Sequence, residues 1–197
     1  MTTNVVNPCQ WIYLNGYAGV GKLSIARELT KLIPGSKVID NHLIIDLCRS
    51  VFQQGSEEYE SLRRQVRQEL FTAMSRSEVA RQTTYVFTGS HLKHNPTAGP
   101  LVARDYERHA NSAKIPFISV ILVCEEEEHF RRAMSLSRQG GDGVPGKLTN
   151  IDTLKAIREM EIFKFHCRHE MEALDVTELT AVEAAKRIKD FVDTVDA

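Results

Sequence analysis

Short apolar runs alternate along the chain with longer segments whose apolar residues recur every three or four positions. A strand covered on both faces reads as a continuous apolar run, and the helix that covers it shows one apolar stripe, so this alternation predicts βαβ units around a parallel sheet. Runs at 11–14, 37–39, 84–88, 117–123 and 174–176 predict five strands. Between them, Ile25, Leu29, Leu32 and Ile33 mark a helix that starts at Lys22 and stops at Pro34 and Gly35. A long helix over 57–80 carries Tyr59, Leu62, Val66, Leu70, Ala73 and Met74 as its stripe, 101–110 reads as a weaker helix, and further helices start near 125 and at Ile151. Ala181, Ala185, Ile188 and Val192 give a closing amphipathic helix. The segment 135–150 is glycine-rich and basic and reads as a loop.

Length changes this picture little: 197 residues suit one domain spanning 1–197. The formal charge of −1 argues against broad nucleic-acid binding through a basic surface. Cys9, Cys48, Cys124 and Cys167 lack both zinc-site and disulfide-framework spacing, so reduced thiols are expected. The first ten residues lack a signal-peptide pattern, and no stretch approaches the roughly 20 apolar residues that span a bilayer. The expectation is a cytoplasmic protein with no membrane association.

The strongest chemical signal runs from Gly16 through Tyr17, Ala18, Gly19, Val20 and Gly21 to Lys22, which fits G-x-x-x-x-G-K, the Walker A pattern. It lies between a strand and a helix start. There glycines let backbone N–H groups close on phosphate oxygens, the helix N-terminus adds positive charge, and the lysine reaches the β- and γ-phosphates of ATP. The usual Ser or Thr after the lysine, whose hydroxyl binds Mg2+, is Leu23 here, and Ser24 comes one residue late. A helix turns about 100° per residue, so Ser24 faces the α-phosphate side rather than replacing that ligand. The metal ligands stay unassigned.

Ligands in an open α/β sheet bind beyond the carboxyl ends of the strands, which puts Asp40 in the crevice. A carboxylate there orients an acceptor hydroxyl and takes its proton, although Asp40-Asn41-His42 also reads as a helix cap. The third strand ends at Thr88 with no acidic residue, and His91 and His94 follow as candidate substrate contacts. Arg131, Arg132, Arg138 and Lys147 flank the glycine-rich segment, as in a cationic lid over 135–150 that excludes water and stabilises transferring charge, with Arg132 and Arg138 as phosphate contacts. His166 and His169 share a face if helical, but lack the further ligands of a zinc site.

Taken in order, G-Y-A-G-V-G-K-L-S, D-N-H, Y-V-F-T-G, R-R-A-M-S-L-S-R and G-K-L-T-N make a chain that resembles the P-loop small-molecule kinases. Shikimate kinase, gluconate kinase and chloramphenicol phosphotransferase are the groups it is most similar to, within the nucleoside monophosphate kinase-like P-loop NTPase fold. The resemblance implies a three-layer α/β fold with a five-stranded parallel sheet in the order 2-3-1-4-5, helices on both faces and a lid. It also implies a second-strand carboxylate on the acceptor hydroxyl, which falls on Asp40, and a loop over 177–181 beside the adenine. The expected activity is transfer of the γ-phosphoryl group of ATP, with Mg2+, to a hydroxyl of an unnamed small molecule. Leu23 and Thr88 keep a second reading open, a nucleotide-binding regulatory module or slow ATPase without an acceptor.

Overall fold

The computed structural model describes residues 9–94, 99–135, 148 and 150–195. Strands β1 (Trp11–Gly16), β2 (Lys37–Asp40), β3 (Tyr85–Thr88), β4 (Phe117–Val123) and β5 (His169–Asp175) form one sheet in the order β2-β3-β1-β4-β5, the order that the resemblance implied. Every neighbouring pair is parallel. The helices are α1 (Lys22–Leu32), α2 (Asn41–Arg49), α3 (Glu57–Arg76), α4 (Glu78–Arg81), α5 (Pro100–Ser112), α6 (Glu126–Ala133), α7 (Ile151–Arg158) and α8 (Ala181–Val192).

β1 lies at the centre, and its alternating side chains feed two cores. Ile12 and Leu14 pack with Ile25 and Leu29 of α1 and Ala185 and Ile188 of α8. Trp11 and Tyr13 face the other way into an aromatic core with Phe71 of α3, Tyr106 of α5 and Phe87 of β3. Tilted and edge-on ring contacts, such as Trp11 on Phe87 at 5.0 Å and Tyr13 on Tyr106 at 4.7 Å, fill that layer.

Three elements differ from expectation. The helix over 57–80 divides at Ser77, whose backbone is extended and whose hydroxyl accepts from Ala80 N to cap α4. β5 begins at His169 rather than near 174, because an edge strand with a single buried residue needs no apolar run. His166, with a φ of 52°, stands outside any helix while His169 opens β5, so the two do not share a helical face. Among the described residues no cluster of three or more His, Cys, Asp or Glu is arranged for a metal, and no helix is long and apolar enough to cross a membrane.

The long helix holds a further surprise. Its most buried line is Tyr59, Arg63, Arg67, Phe71 and Met74, whereas Leu62, Val66 and Leu70 are only half-buried and Ala73 is exposed. Two charged residues, Arg63 and Arg67, are therefore buried on a line beside the expected apolar stripe.

Candidate active site

The carboxyl end of β1 runs into the phosphate loop through backbone that few side chains tolerate. Gly16 has a φ of 149°, and an added Cβ there would stand 2.6 Å from the Leu122 carbonyl oxygen. Gly19 has a φ of 102°, and its Cβ would stand 2.7 Å from Cβ of Ala133 on α6. The loop is thus folded tightly against β4 and α6. Asn15, fully buried, pins it from below: its amide donates to the carbonyls of His91 and Phe163, and its Oδ1 accepts from Gly16 N and His91 N. All four of its hydrogen-bonding positions are filled.

Gly21 starts α1 in a left-handed conformation, and no side chain caps the helix. The amides of the first turn therefore open onto the cleft, which is the anion-binding geometry of a helix start. Lys22 turns its ammonium onto the carbonyl oxygens of Gly16 and Tyr17, each at 2.7 Å. Gly16 and Tyr17 hold the lysine from behind the cleft, while residues 18–24, including Leu23 and Ser24, line it.

The cleft has a volume of about 710 Å³, and on its far side stand Asp40, His42, Thr88, Gly89 and Ser90. That volume holds a nucleotide and a small second substrate. Asp40 ends β2 and caps α2. Its Oδ1 accepts from Thr88 Oγ1 at 2.8 Å, from His42 Nδ1 at 3.1 Å and, at 3.3 Å, from the His42 amide. Its Oδ2 has no hydrogen-bond donor among the described residues. Burial alone would push the carboxyl up, but the bonds from His42 and Thr88 outweigh it and hold Asp40 well below the usual carboxylate range. Thr88, where a second acid was missed in the sequence, instead orients the acid on the neighbouring strand.

That contact gives a prediction. Thr88→Val is expected to cost about 1–2 kcal/mol of stability at neutral pH, as for a lost hydrogen bond to a charged group. A depressed carboxylate contributes stability that is full above its unfolded pKa of about 4 and is lost as pH falls toward its folded value. The gap between wild type and Thr88→Val in urea unfolding should therefore be widest above about pH 5 and close in strong acid, where both carboxyls are protonated.

Arg132 lines the cleft and makes contacts on three sides. Its Nε donates to Glu128 at 2.6 Å, and one terminal nitrogen donates to the carbonyls of Val176 and Thr177 at 2.9 and 2.8 Å. The other lies 3.5 Å from the Val20 carbonyl. In this geometry Arg132 ties the phosphate loop to the residues that follow β5. Arg131, largely exposed, pairs with Glu128, and these two arginines hold the Glu128 carboxyl down at about 2. Arg138 and most of the expected lid, residues 136–147 and 149, lie outside the described residues. Leu179 and Ala181, from the loop expected beside the adenine, line the same cleft. His91 is buried and stacked on Tyr13 at 5.5 Å, away from the cleft lining, and His94 is exposed.

Two further residues support the loop without having been expected to. His129, fully buried on α6, places Nε2 2.7 Å from the Ala18 carbonyl, and its Nδ1 lies 3.3 Å from an Arg158 nitrogen. A carbonyl can only accept and a guanidinium can only donate, so Nε2 carries the proton and Nδ1 is the acceptor. The Arg158 guanidinium also covers the ring of Tyr17 at 5.5 Å, while the Tyr17 hydroxyl donates to the Met160 carbonyl. In the sequence, His129 is a lone histidine inside an acidic helix start and carries no signal of this contact.

The parallel sheet in this order, with helices on both faces and a glycine-rich turn after its first strand, is the fold of the P-loop small-molecule kinases. Solved structures with this fold include a sugar kinase from Janibacter sp. HTCC2649, at 17% identity and a TM-score of 0.55 over 94% of this chain and 95% of that one. A gluconokinase from Sinorhizobium meliloti 1021 matches at 16% identity and a TM-score of 0.57 over 95% and 93% of the two chains. The APS kinase CysC of Mycobacterium tuberculosis, solved with AMPPNP and APS, matches at 11% identity and a TM-score of 0.54 over 94% and 98%. No protein-family model and no curated protein matches the chain.

Proposed function

We propose that the protein is an ATP-dependent phosphotransferase that moves the γ-phosphoryl group to a hydroxyl of a small molecule. One observation carries this reading: Asp40 spends Oδ1 on Thr88 and His42 and keeps Oδ2 for the cleft, opposite the open amides of α1. In the reaction, the first-turn amides and Lys22 take the β- and γ-phosphate oxygens, the lysine exchanging its loop carbonyls for them. The acceptor oxygen attacks phosphorus in line, the bond to the β-γ bridging oxygen breaks, and that oxygen leaves with ADP. A carboxylate as weakly basic as Asp40 does not strip the hydroxyl early. It orients the hydroxyl and receives its proton as the new P–O bond forms, which suits a loose transition state. Arg132 keeps the loop in register, and Arg138, on the expected lid, is assigned to the phosphates.

Mg2+ fits a site with few protein ligands, since it commonly binds through one or two carboxylates, waters and substrate phosphates. Asp40 would touch it at most through a coordinated water, and when bound it supplies neutralisation of phosphate charge.

The test is ADP release from MgATP against a panel of alcohols, alongside nucleotide titration with and without Mg2+. Release that requires an alcohol supports transfer. Leu23 and Thr88 favour the regulatory reading, and nucleotide binding with slow release that no alcohol accelerates would establish it instead.

A further inference from the structure

Inside the phosphate loop the chain turns at 17–20, where the Val20 amide donates to the Tyr17 carbonyl at 3.3 Å. Gly19, third in that turn, has a φ of 102°, which makes the turn type II. Type I and type II turns share their ends and differ by a flip of the middle peptide, here Ala18–Gly19, and glycine in the third place tolerates both. The flip matters because the two edges of a peptide carry opposite partial charge. A trans peptide points its carbonyl oxygen and its N–H to opposite sides, and no cis bond occurs among the described residues. One orientation therefore offers the cleft an amide donor, and the other offers it a carbonyl oxygen that repels phosphate.

His129 selects between the two. Its Nε2 stands 2.7 Å from the Ala18 carbonyl oxygen, on the side of α6, so the Gly19 N–H points the other way, and Ala18 and Gly19 both line the cleft. That amide donates to no group among the described residues. The histidine is itself held as a donor. An Arg158 nitrogen donates to its Nδ1 at 3.3 Å, while the same guanidinium donates to the Cys124 carbonyl at 3.0 Å and lies 3.5 Å from a Glu126 oxygen. With Nδ1 occupied as an acceptor, Nε2 keeps the proton that the Ala18 carbonyl needs. His129 is fully buried, so water does not compete for that carbonyl.

We propose, building on the nucleotide-binding reading of the cleft, that His129 is a positioning residue that fixes the Ala18–Gly19 peptide with its N–H toward the β- and γ-phosphates. It touches no substrate and acts only through that peptide. Its contribution is therefore confined to ligands that carry phosphate, whereas general support of the fold would be felt by any ligand of the cleft.

Calorimetric titration of ATP, ADP and adenosine against wild type, His129→Leu and His129→Gln tests this. His129→Leu should lose about tenfold or more in affinity for ATP and ADP and none for adenosine. His129→Gln, whose side-chain amide can also donate to the Ala18 carbonyl, should recover most of the loss. An equal loss on adenosine, or a glutamine variant as poor as the leucine one, would overturn the assignment and leave His129 as packing. Unchanged ADP affinity in His129→Leu would overturn it too. Should the leucine variant fail to fold, the wild-type protein decides: its Gly19 amide proton should move downfield in the NMR spectrum when ADP is added, and an unmoved signal would sink the idea. Absence of ATP binding to wild type would instead remove the nucleotide-binding reading itself.

Discussion

Asp40→Asn is expected to lower alcohol-dependent ADP release by about 10²–10⁴-fold, the range for losing a positioned proton acceptor, while nucleotide affinity stays unchanged. The substitution is well matched to the geometry. An asparagine Oδ1 still accepts from Thr88 Oγ1 and from the His42 amide, so β2 and α2 keep their junction. What changes is the group facing the cleft: an NH2 that donates replaces an Oδ2 that accepts, and the negative charge is gone. The acceptor hydroxyl then loses both its orienting partner and the destination of its proton. Steady-state kinetics with the best alcohol of the panel, together with a nucleotide titration, checks this. A variant that releases ADP at the wild-type rate would move the acceptor site away from β2.

Lys22→Met is expected to reduce turnover by about 10²–10³-fold, the usual effect of removing one preorganised donor from a developing charge. Its ammonium is the one loop cation whose position follows directly from the motif, and it already lies on the carbonyls of Gly16 and Tyr17. Loss of the cation leaves those carbonyls without their donor, so some loosening of the loop accompanies the loss of charge. The two effects separate by measurement: ATP affinity reports the loop, and single-turnover rate at saturating ATP reports the chemistry. An unchanged single-turnover rate would mean that Lys22 only binds.

The sheet was legible in the sequence because buried parallel strands are continuous apolar runs and glycines mark the phosphate turn. β5 was partly hidden, since at an edge only Leu174 of its residues is buried. Asp40 was legible from its place at the end of β2, but the division of labour between its two oxygens was not. That division depends on Thr88, 48 residues away in the chain and adjacent only through β2–β3 pairing. The arginines of α3 were misjudged for a different reason. A hydrophobic stripe was drawn through Leu62, Val66 and Leu70, yet the helix turns a neighbouring line inward, where Arg63 and Arg67 lie between Tyr59 and Phe71. Periodicity finds the apolar side of a helix and is blind to charge buried beside it. Arg132 shows the converse: its position near the loop was foreseen, but its contacts with the carbonyls of residues 176 and 177 were not, because they come from the far end of the chain.

The bridge that Arg132 makes from Glu128 and Val20 to the end of β5 also divides labour across the mouth of the crevice. The rim that would meet the nucleotide is braced like the fixed jaw of a vise. The opposite rim is built on α2, which buries only Ile44 and Cys48. A loop fastened at so many points keeps its shape without help from whatever occupies the crevice.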